Sequence, residues 1–315
     1  MKKVAILESL GISAEALASF ESAFAGEVEF AEYLRTSDIP ALQDEVRDAD
    51  ALILANMPLP GEVIRAAEHL EFIDVAFTGV DHVDLEAAKE KRIRVSNASG
   101  YSNEAVAELV VGMALSLLRR LPQVEARVRA GGTKAGLVGG ELKGRTVGII
   151  GYGRIGRRTG ELLHAFGCNI LAQCRRVHDD LPEYAEQVSQ EELLRRSDIV
   201  VLHCPLNDST RGMIDYAKLS LMKPSAYLIN VARGPVTNEN DLVRALNEGL
   251  IAGAAVDVFT QEPPLAADTP ILGAPNTLLT PHVAFATEES MTLRAEIIFD
   301  NLRAWLDGGQ KNKVL

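Results

Sequence analysis

Short apolar runs alternate along this chain with segments whose apolar residues recur at helical spacing. Residues 4–7, 28–30, 51–54, 72–76 and 93–95 read as strands, with helices expected over 14–25, 39–47, 61–67 and 85–91. Continuous apolar runs of this length are strands buried on both faces, and their alternation with helices predicts a parallel sheet with crossover connections. A second series begins at residue 146. Its strands are expected at 146–150, 170–173, 199–203, 227–230, 254–258 and 277–279, with helices at 155–166, 190–196 and 238–248. A long helix over about 288–305 closes the chain.

Between the two series, residues 103–121 are apolar almost all round, with Ser102 or Asn103 available to cap the start. Such a helix must be buried on several sides. It fits an ordinary core helix, a helix between two domains or one between two subunits. Residues 131–144 are glycine-rich without periodicity and read as a loop.

The length of 315 residues exceeds what one hydrophobic core usually serves, roughly 250–300 residues, so two domains are expected. A net charge of -12 argues against nucleic acid, which needs a basic footprint. Any anionic substrate must then be drawn by a local positive site. The longest nearly apolar run, 109–118, falls short of the roughly 18 residues of a membrane span. The start of the chain carries no long apolar region of the kind a signal peptide needs. Cys168, Cys174 and Cys204 are odd in number and lack metal-ligand spacing. The expectation is a cytoplasmic protein without a metal, membrane or nucleic-acid partner.

The clearest motif is Gly151-Tyr152-Gly153-Arg154-Ile155-Gly156, fed by the strand Val147-Gly148-Ile149-Ile150 and followed by a helix. In this context the first glycine permits a tight turn. The second admits a pyrophosphate, and the third lets helix and strand pack closely. The motif predicts a bound dinucleotide. The next strand should end in a carboxylate that holds the adenosine ribose, but here it ends in Cys174-Arg175-Arg176. Arginine can bind a 2′-phosphate where a carboxylate would repel it. NADP(H) is therefore favoured over NAD(H), unless the arginines are merely a solvated loop. Cys174 itself reads as a small neutral filler or, beside two arginines, as a reactive thiol.

Hydride transfer to a carbonyl also needs a proton donor, a cation at the carbonyl and a carboxylate to orient the donor. Three strand-end stretches can supply them. The first is Leu228-Ile229-Asn230-Val231-Ala232-Arg233-Gly234. The second runs from Asp257 to Glu262-Pro263-Pro264, and the third is Leu279-Thr280-Pro281-His282-Val283-Ala284.

With the glycine loop, this ordered series resembles the D-isomer-specific 2-hydroxyacid dehydrogenase family. So do Phe77-Thr78-Gly79-Val80-Asp81, Gly100-Tyr101-Ser102 and His203-Cys204-Pro205-Leu206 with Thr210. The resemblance covers nearly the whole chain. It implies that Arg233 binds the 2-oxo acid and polarises its carbonyl. His282 would be the general acid in reduction, and Glu262 the carboxylate that pairs with it and favours its charged form. Thr78 and Gly79 would hold the substrate carboxylate through backbone N–H groups, and Tyr101 would face the substrate. Asp257 and the backbone at Val231, with Ala232, would lie at the nicotinamide carboxamide. Arg154, Ile155, Cys204, Pro205 and Thr210 would surround the phosphates and adenosine.

The fold the resemblance implies is α/β, with two Rossmann-like domains of parallel sheet hinged beside the cofactor. One is a flavodoxin-like substrate domain (1–99 and 285–315), the other the dinucleotide-binding domain (100–284). A homodimer built on the cofactor domain is expected. Family members acting on phosphoglycerate hold arginines near Ala55-Asn56-Met57-Pro58, and this chain has none between residues 50 and 64. No regulatory domain follows Leu315. The expected substrates are therefore glyoxylate or hydroxypyruvate, with a D-lactate-type or larger D-2-hydroxy acid as the alternative. A dinucleotide-sensing scaffold, like the corepressors of the same fold, is a further alternative.

Overall fold

The structure, a computed structural model, describes residues 1–175 and 180–315. Arg176, half of the expected arginine pair, lies outside the described residues. The chain forms two compact units, residues 1–102 with 286–315, and residues 103–285.

The first unit holds β1 (Lys2–Ile6), α1 (Ala14–Ser22), β2 (Val28–Glu32), α2 (Ile39–Val46) and β3 (Ala51–Leu54). α3 (Gly61–Ala66), β4 (Phe72–Val75), α4 (Leu85–Glu90) and β5 (Arg94–Asn97) follow. The strands are all parallel in the order β2-β1-β3-β4-β5, the flavodoxin-like arrangement. Every residue of β3 and β4 is buried, which explains why β3 is apolar throughout and β4 apolar but for Asp74. β1 starts two residues before the apolar run. Lys2 pairs through its ammonium with Asp50 at 2.8 Å and Glu71 at 3.0 Å, and its backbone continues the ladder to Val28. In this sheet order the direction of winding switches between β1 and β3, the point at which open α/β sheets bind ligands.

The second unit opens with α5 (Asn103–Arg119) and α6 (Leu121–Arg129). It continues with β6 (Thr146–Ile150), α7 (Arg154–Ala165), β7 (Asn169–Gln173), β8 (Ala185–Gln187), α8 (Gln190–Arg196) and β9 (Ile199–Leu202). α9 (Tyr216–Leu219), β10 (Tyr227–Asn230), α10 (Glu239–Asn247), β11 (Gly253–Val256) and β12 (Thr277–Leu279) complete it. The sheet order is β12-β11-β10-β9-β6-β7-β8, again parallel throughout. Winding reverses at β6, between β7 and β9. α5 packs on α7 and on β10, β11 and β12, so it is a core helix of this unit. Leu109, Leu115 and Leu117 remain half-buried. The expected single helix over 103–121 breaks at Arg120, which takes the left-handed conformation (φ 51°). α6 then begins, with no buried residue of its own.

The final helix, α11 (Glu288–Leu306), belongs to the first unit. Phe299 stacks on Phe20 and Trp305 on Phe72. Asn301 donates from Nδ2 to Asp74 Oδ1 (2.9 Å) and to the Asn97 carbonyl (3.1 Å). Asp74 is fully buried in β4. Burial raises its pKa well above the usual carboxylate value against the lowering effect of Asn301. Among the described residues no helix is long and apolar enough to cross a membrane, and no cluster of three His, Cys, Asp or Glu could hold a metal.

Candidate active site

The loop 151–156 joins β6 to α7 at the winding reversal. Gly151 has φ 96°, and a Cβ there would meet the Cys204 backbone nitrogen at 2.5 Å. At Gly156 a Cβ would lie 2.3 Å from the Gly151 carbonyl oxygen. The fold therefore requires both glycines for its own packing. Gly153 is different. It caps the N-terminus of α7 without any side-chain hydrogen bond, and among the described residues a Cβ would meet nothing within 4 Å. The missing side chain leaves open space over the first N–H groups of a twelve-residue helix, where unpaired donors and the helix dipole favour phosphate. This cradle fits a dinucleotide pyrophosphate. Arg154 is exposed beside it and Ile155 half-buried.

At the end of β7, Cys174 is half-buried and Arg175 exposed. Burial pushes the Cys174 thiol up, against the lowering effects of the Tyr152 backbone and Arg157. A raised thiol is a poor nucleophile, so the side chain acts as a neutral filler. Beyond β9, His203 Nε2 meets Thr159 Oγ1 of α7 at 2.9 Å, and burial pushes its pKa down to about 3. Burial raises the Cys204 thiol to about 11. Thr210 Oγ1 donates to the Pro205 carbonyl (2.7 Å) and accepts from the Asn207 N–H (2.9 Å), closing the loop.

The remaining second-unit residues stand beyond the carboxyl ends of β10, β11 and β12. Asn230, the last residue of β10, is almost fully buried. Its Oδ1 accepts from Ala232 N (3.1 Å) and its Nδ2 donates to the Arg233 carbonyl (3.1 Å). This fixes the turn that carries Val231, Ala232 and Arg233. Arg233 Nη1 donates to the Ala232 carbonyl (2.9 Å). At Gly234 a Cβ would lie 2.0 Å from the Phe259 carbonyl carbon, so the turn presses on the segment after β11.

Asp257 follows β11 and is completely buried. Its Oδ1 accepts from Thr280 Oγ1 (2.6 Å) and Val283 N (2.9 Å), and its Oδ2 from Ala284 N (2.9 Å). Its own carbonyl accepts from His282 N (2.8 Å). His282 is thereby held at φ 55°, a conformation that costs about 1–3 kcal/mol and persists only where neighbours enforce it. The Asp257 carboxylate clamps the histidine turn. His282 Nδ1 lies 3.0 Å from Glu262 Oε2. The His282 side chain is 13% exposed and that of Glu262 45%. The Phe285 ring packs edge-on against the imidazole at 5.4 Å.

In the first unit, Thr78 and Gly79 follow β4. The Thr78 carbonyl accepts from Asn97 Nδ2 (2.7 Å), and its buried Oγ1 has no hydrogen-bond partner. Tyr101, 3% exposed, sits with its ring 6.2 Å from that of Phe77. The stretch 55–58 lacks arginine in sequence but not in space. Arg35, beyond β2, donates to Asn56 Oδ1 (2.6 Å) and to Glu8 Oε2 (3.0 Å). Asn230, Phe285, Glu8 and Arg35 had no role in the sequence reading. Only Asn230 left a trace there, as a polar residue closing an apolar strand.

Residues 111–284 match the model of the D-isomer-specific 2-hydroxyacid dehydrogenase, NAD-binding domain, which contains the loop 151–156. The chain is 35% identical over 294 residues to a hydroxypyruvate reductase of Blautia hydrogenotrophica, covering 90% of each. It is 39% identical over 286 residues to a glyoxylate reductase of Thermofilum pendens, covering 87% of this chain and 84% of the relative. Its fold is similar to an acyclic imino acid reductase solved with NADPH and D-Arg. That similarity has a TM-score of 0.91 at 26% identity, over 99% of this chain and 100% of the other. The chain belongs to the D-isomer-specific 2-hydroxyacid dehydrogenase family.

Proposed function

We propose that this protein reduces a small 2-oxo acid of the glyoxylate or hydroxypyruvate type to the corresponding hydroxy acid, with NADPH preferred to NADH. The observation that carries the reading is the His282–Glu262 pair, at 3.0 Å, held at the strand edge by a buried aspartate. The nicotinamide, when bound, supplies the hydride. The protein supplies the proton and the charges. Glu262 engages Nδ1 and orients the ring, so Nε2 is the atom that passes a proton to the carbonyl oxygen. Arg233 binds the substrate carboxylate and polarises the carbonyl. In the first unit, the N–H groups at Thr78 and Gly79 are assigned to substrate binding. Once it has given its proton to the carbonyl oxygen, His282 is left neutral.

The cradle at Gly151, Gly153 and Gly156, with Arg154 and Ile155, would hold the pyrophosphate. Val231, Ala232 and Asp257 would lie on the nicotinamide side, and Cys204, Pro205 and Thr210 on the adenosine side. The lack of a carboxylate at Cys174, with Arg175 exposed beside it, supports NADPH. The relatives named glyoxylate and hydroxypyruvate reductase support the substrate class. A homodimer is supported by exposed Leu121 and Val128 on α6 and Val138 beyond it, which a partner would cover. Steady-state assays of glyoxylate, hydroxypyruvate and pyruvate with each cofactor test the proposal. Turnover should be highest with NADPH and one of the first two. A preference for NADH, or for pyruvate, would contradict it.

A further inference from the structure

The first unit holds a second cation whose donors its own chain does not use up. Arg294 of α11 is 4% exposed. Its Nη2 donates to the Leu10 carbonyl, and it hydrogen-bonds with Tyr101, over whose ring the guanidinium lies at 5.8 Å. Its Nε is buried without a hydrogen-bond partner among the described residues. A buried guanidinium rarely leaves a donor unmet, because an unsatisfied buried polar group is costly.

The surroundings leave this charge only partly balanced. Glu8 is the carboxylate that acts on Arg294 electrostatically. Yet Glu8 Oε1 already accepts from Ala55 N (2.8 Å) and Met57 N (2.7 Å), and Oε2 from Arg35 (3.0 Å). One carboxylate thus faces two guanidinium groups, in a chain that is strongly acidic overall. Glu8 follows β1 and Asn56 follows β3, so this group stands at the winding switch of the first sheet, where such folds bind ligands. Tyr101 joins it to Phe77 and the Thr78–Gly79 turn.

We infer that Arg294 is a specificity-determining residue that reads the tail of the 2-oxo acid and selects a tail that accepts hydrogen bonds over an alkyl one. The inference rests on the proposed reductase activity. A substrate hydroxyl or carboxylate oxygen beyond the carbonyl would take the unmet donor. A methyl group in the same place would leave it buried and unpaired.

Hydroxypyruvate and 2-oxobutyrate differ only by a terminal hydroxyl against a methyl, so they form the test pair. The wild-type protein should reduce hydroxypyruvate with a kcat/KM higher on the order of 10–100-fold, the range of a hydrogen bond to a charged group. Arg294→Met should bring that ratio towards one, mainly by raising KM for hydroxypyruvate. Arg294→Lys should keep part of the preference, and it serves if the methionine variant fails to fold. A purely structural arginine would lower both activities together and leave their ratio unchanged. That unchanged ratio, or a wild-type protein with no preference for hydroxypyruvate, overturns the inference while leaving the reductase reading intact. Failure to reduce any 2-oxo acid overturns both.

Discussion

Replacing Glu262 by glutamine keeps the shape and the acceptor at His282 Nδ1 but removes the charge. The lost interaction acts only on the imidazolium. At the observed 3.0 Å, two unit charges attract by about 1.4 kcal/mol even at the dielectric constant of bulk water. The 45% exposure of Glu262 keeps the pair near that screened limit. Since about 1.4 kcal/mol corresponds to a factor of ten in rate, kcat/KM for hydroxypyruvate should fall about tenfold. The assay is kcat/KM for hydroxypyruvate at one fixed pH and ionic strength, for wild type and Glu262→Gln. Cofactor affinity, read by protein fluorescence, shows that the variant is folded. A variant with unchanged cofactor binding and an unchanged kcat/KM would refute the idea that Glu262 acts on His282 through its charge.

The glycine loop gives a paired prediction. Gly153→Ala should leave thermal stability within about 0.5 kcal/mol, because its Cβ meets no atom of the described residues, yet weaken cofactor binding about tenfold or more. Gly151→Ala should destabilise the fold by roughly 1–3 kcal/mol from its left-handed backbone alone; equal effects of the two on stability would contradict the assignment. Asp74 gives a pH-dependent one. Its carboxyl is raised in the folded state, so its contribution is complete below about pH 4 and falls by about 1.4 kcal/mol per pH unit up to the raised value. Asp74→Asn lacks this loss, and the Tm of wild type should therefore decline relative to the variant as pH rises from 4.5; parallel Tm curves would show that Asp74 ionises freely.

Much of the fold could be read along the chain because its strands are buried on both faces. β3 is an uninterrupted apolar run and β4 is broken only by Asp74, and the Gly151 motif sits where a strand meets a helix. Elements held by little apolar surface escaped. α6 buries none of its residues, and β8 is three residues long, so neither leaves a periodic signal. The site was legible wherever a residue's chemistry is unusual for a strand end, as with Arg233 and His282. It was illegible where function depends on a distant partner. The clamp of Asp257 on the histidine turn spans 23–27 residues. Arg35 reaches Asn56 from another strand, so counting arginines within 50–64 missed a charge that stands beside it. Arg294 meets Leu10 across 284 residues, and no local pattern relates them.

In the proposed reaction hydride is delivered to the 2-oxo carbon and His282 gives the proton. Turnover of hydroxypyruvate with NADPH deuterated at the transferring position tests this most directly, with the product analysed for label and configuration. Glycerate carrying one deuterium at C2 in the D configuration is expected, with no labelled product from His282→Ala, whose cofactor binding should be unchanged. Unlabelled or L-configured product, or turnover by His282→Ala near the wild-type rate, would contradict it.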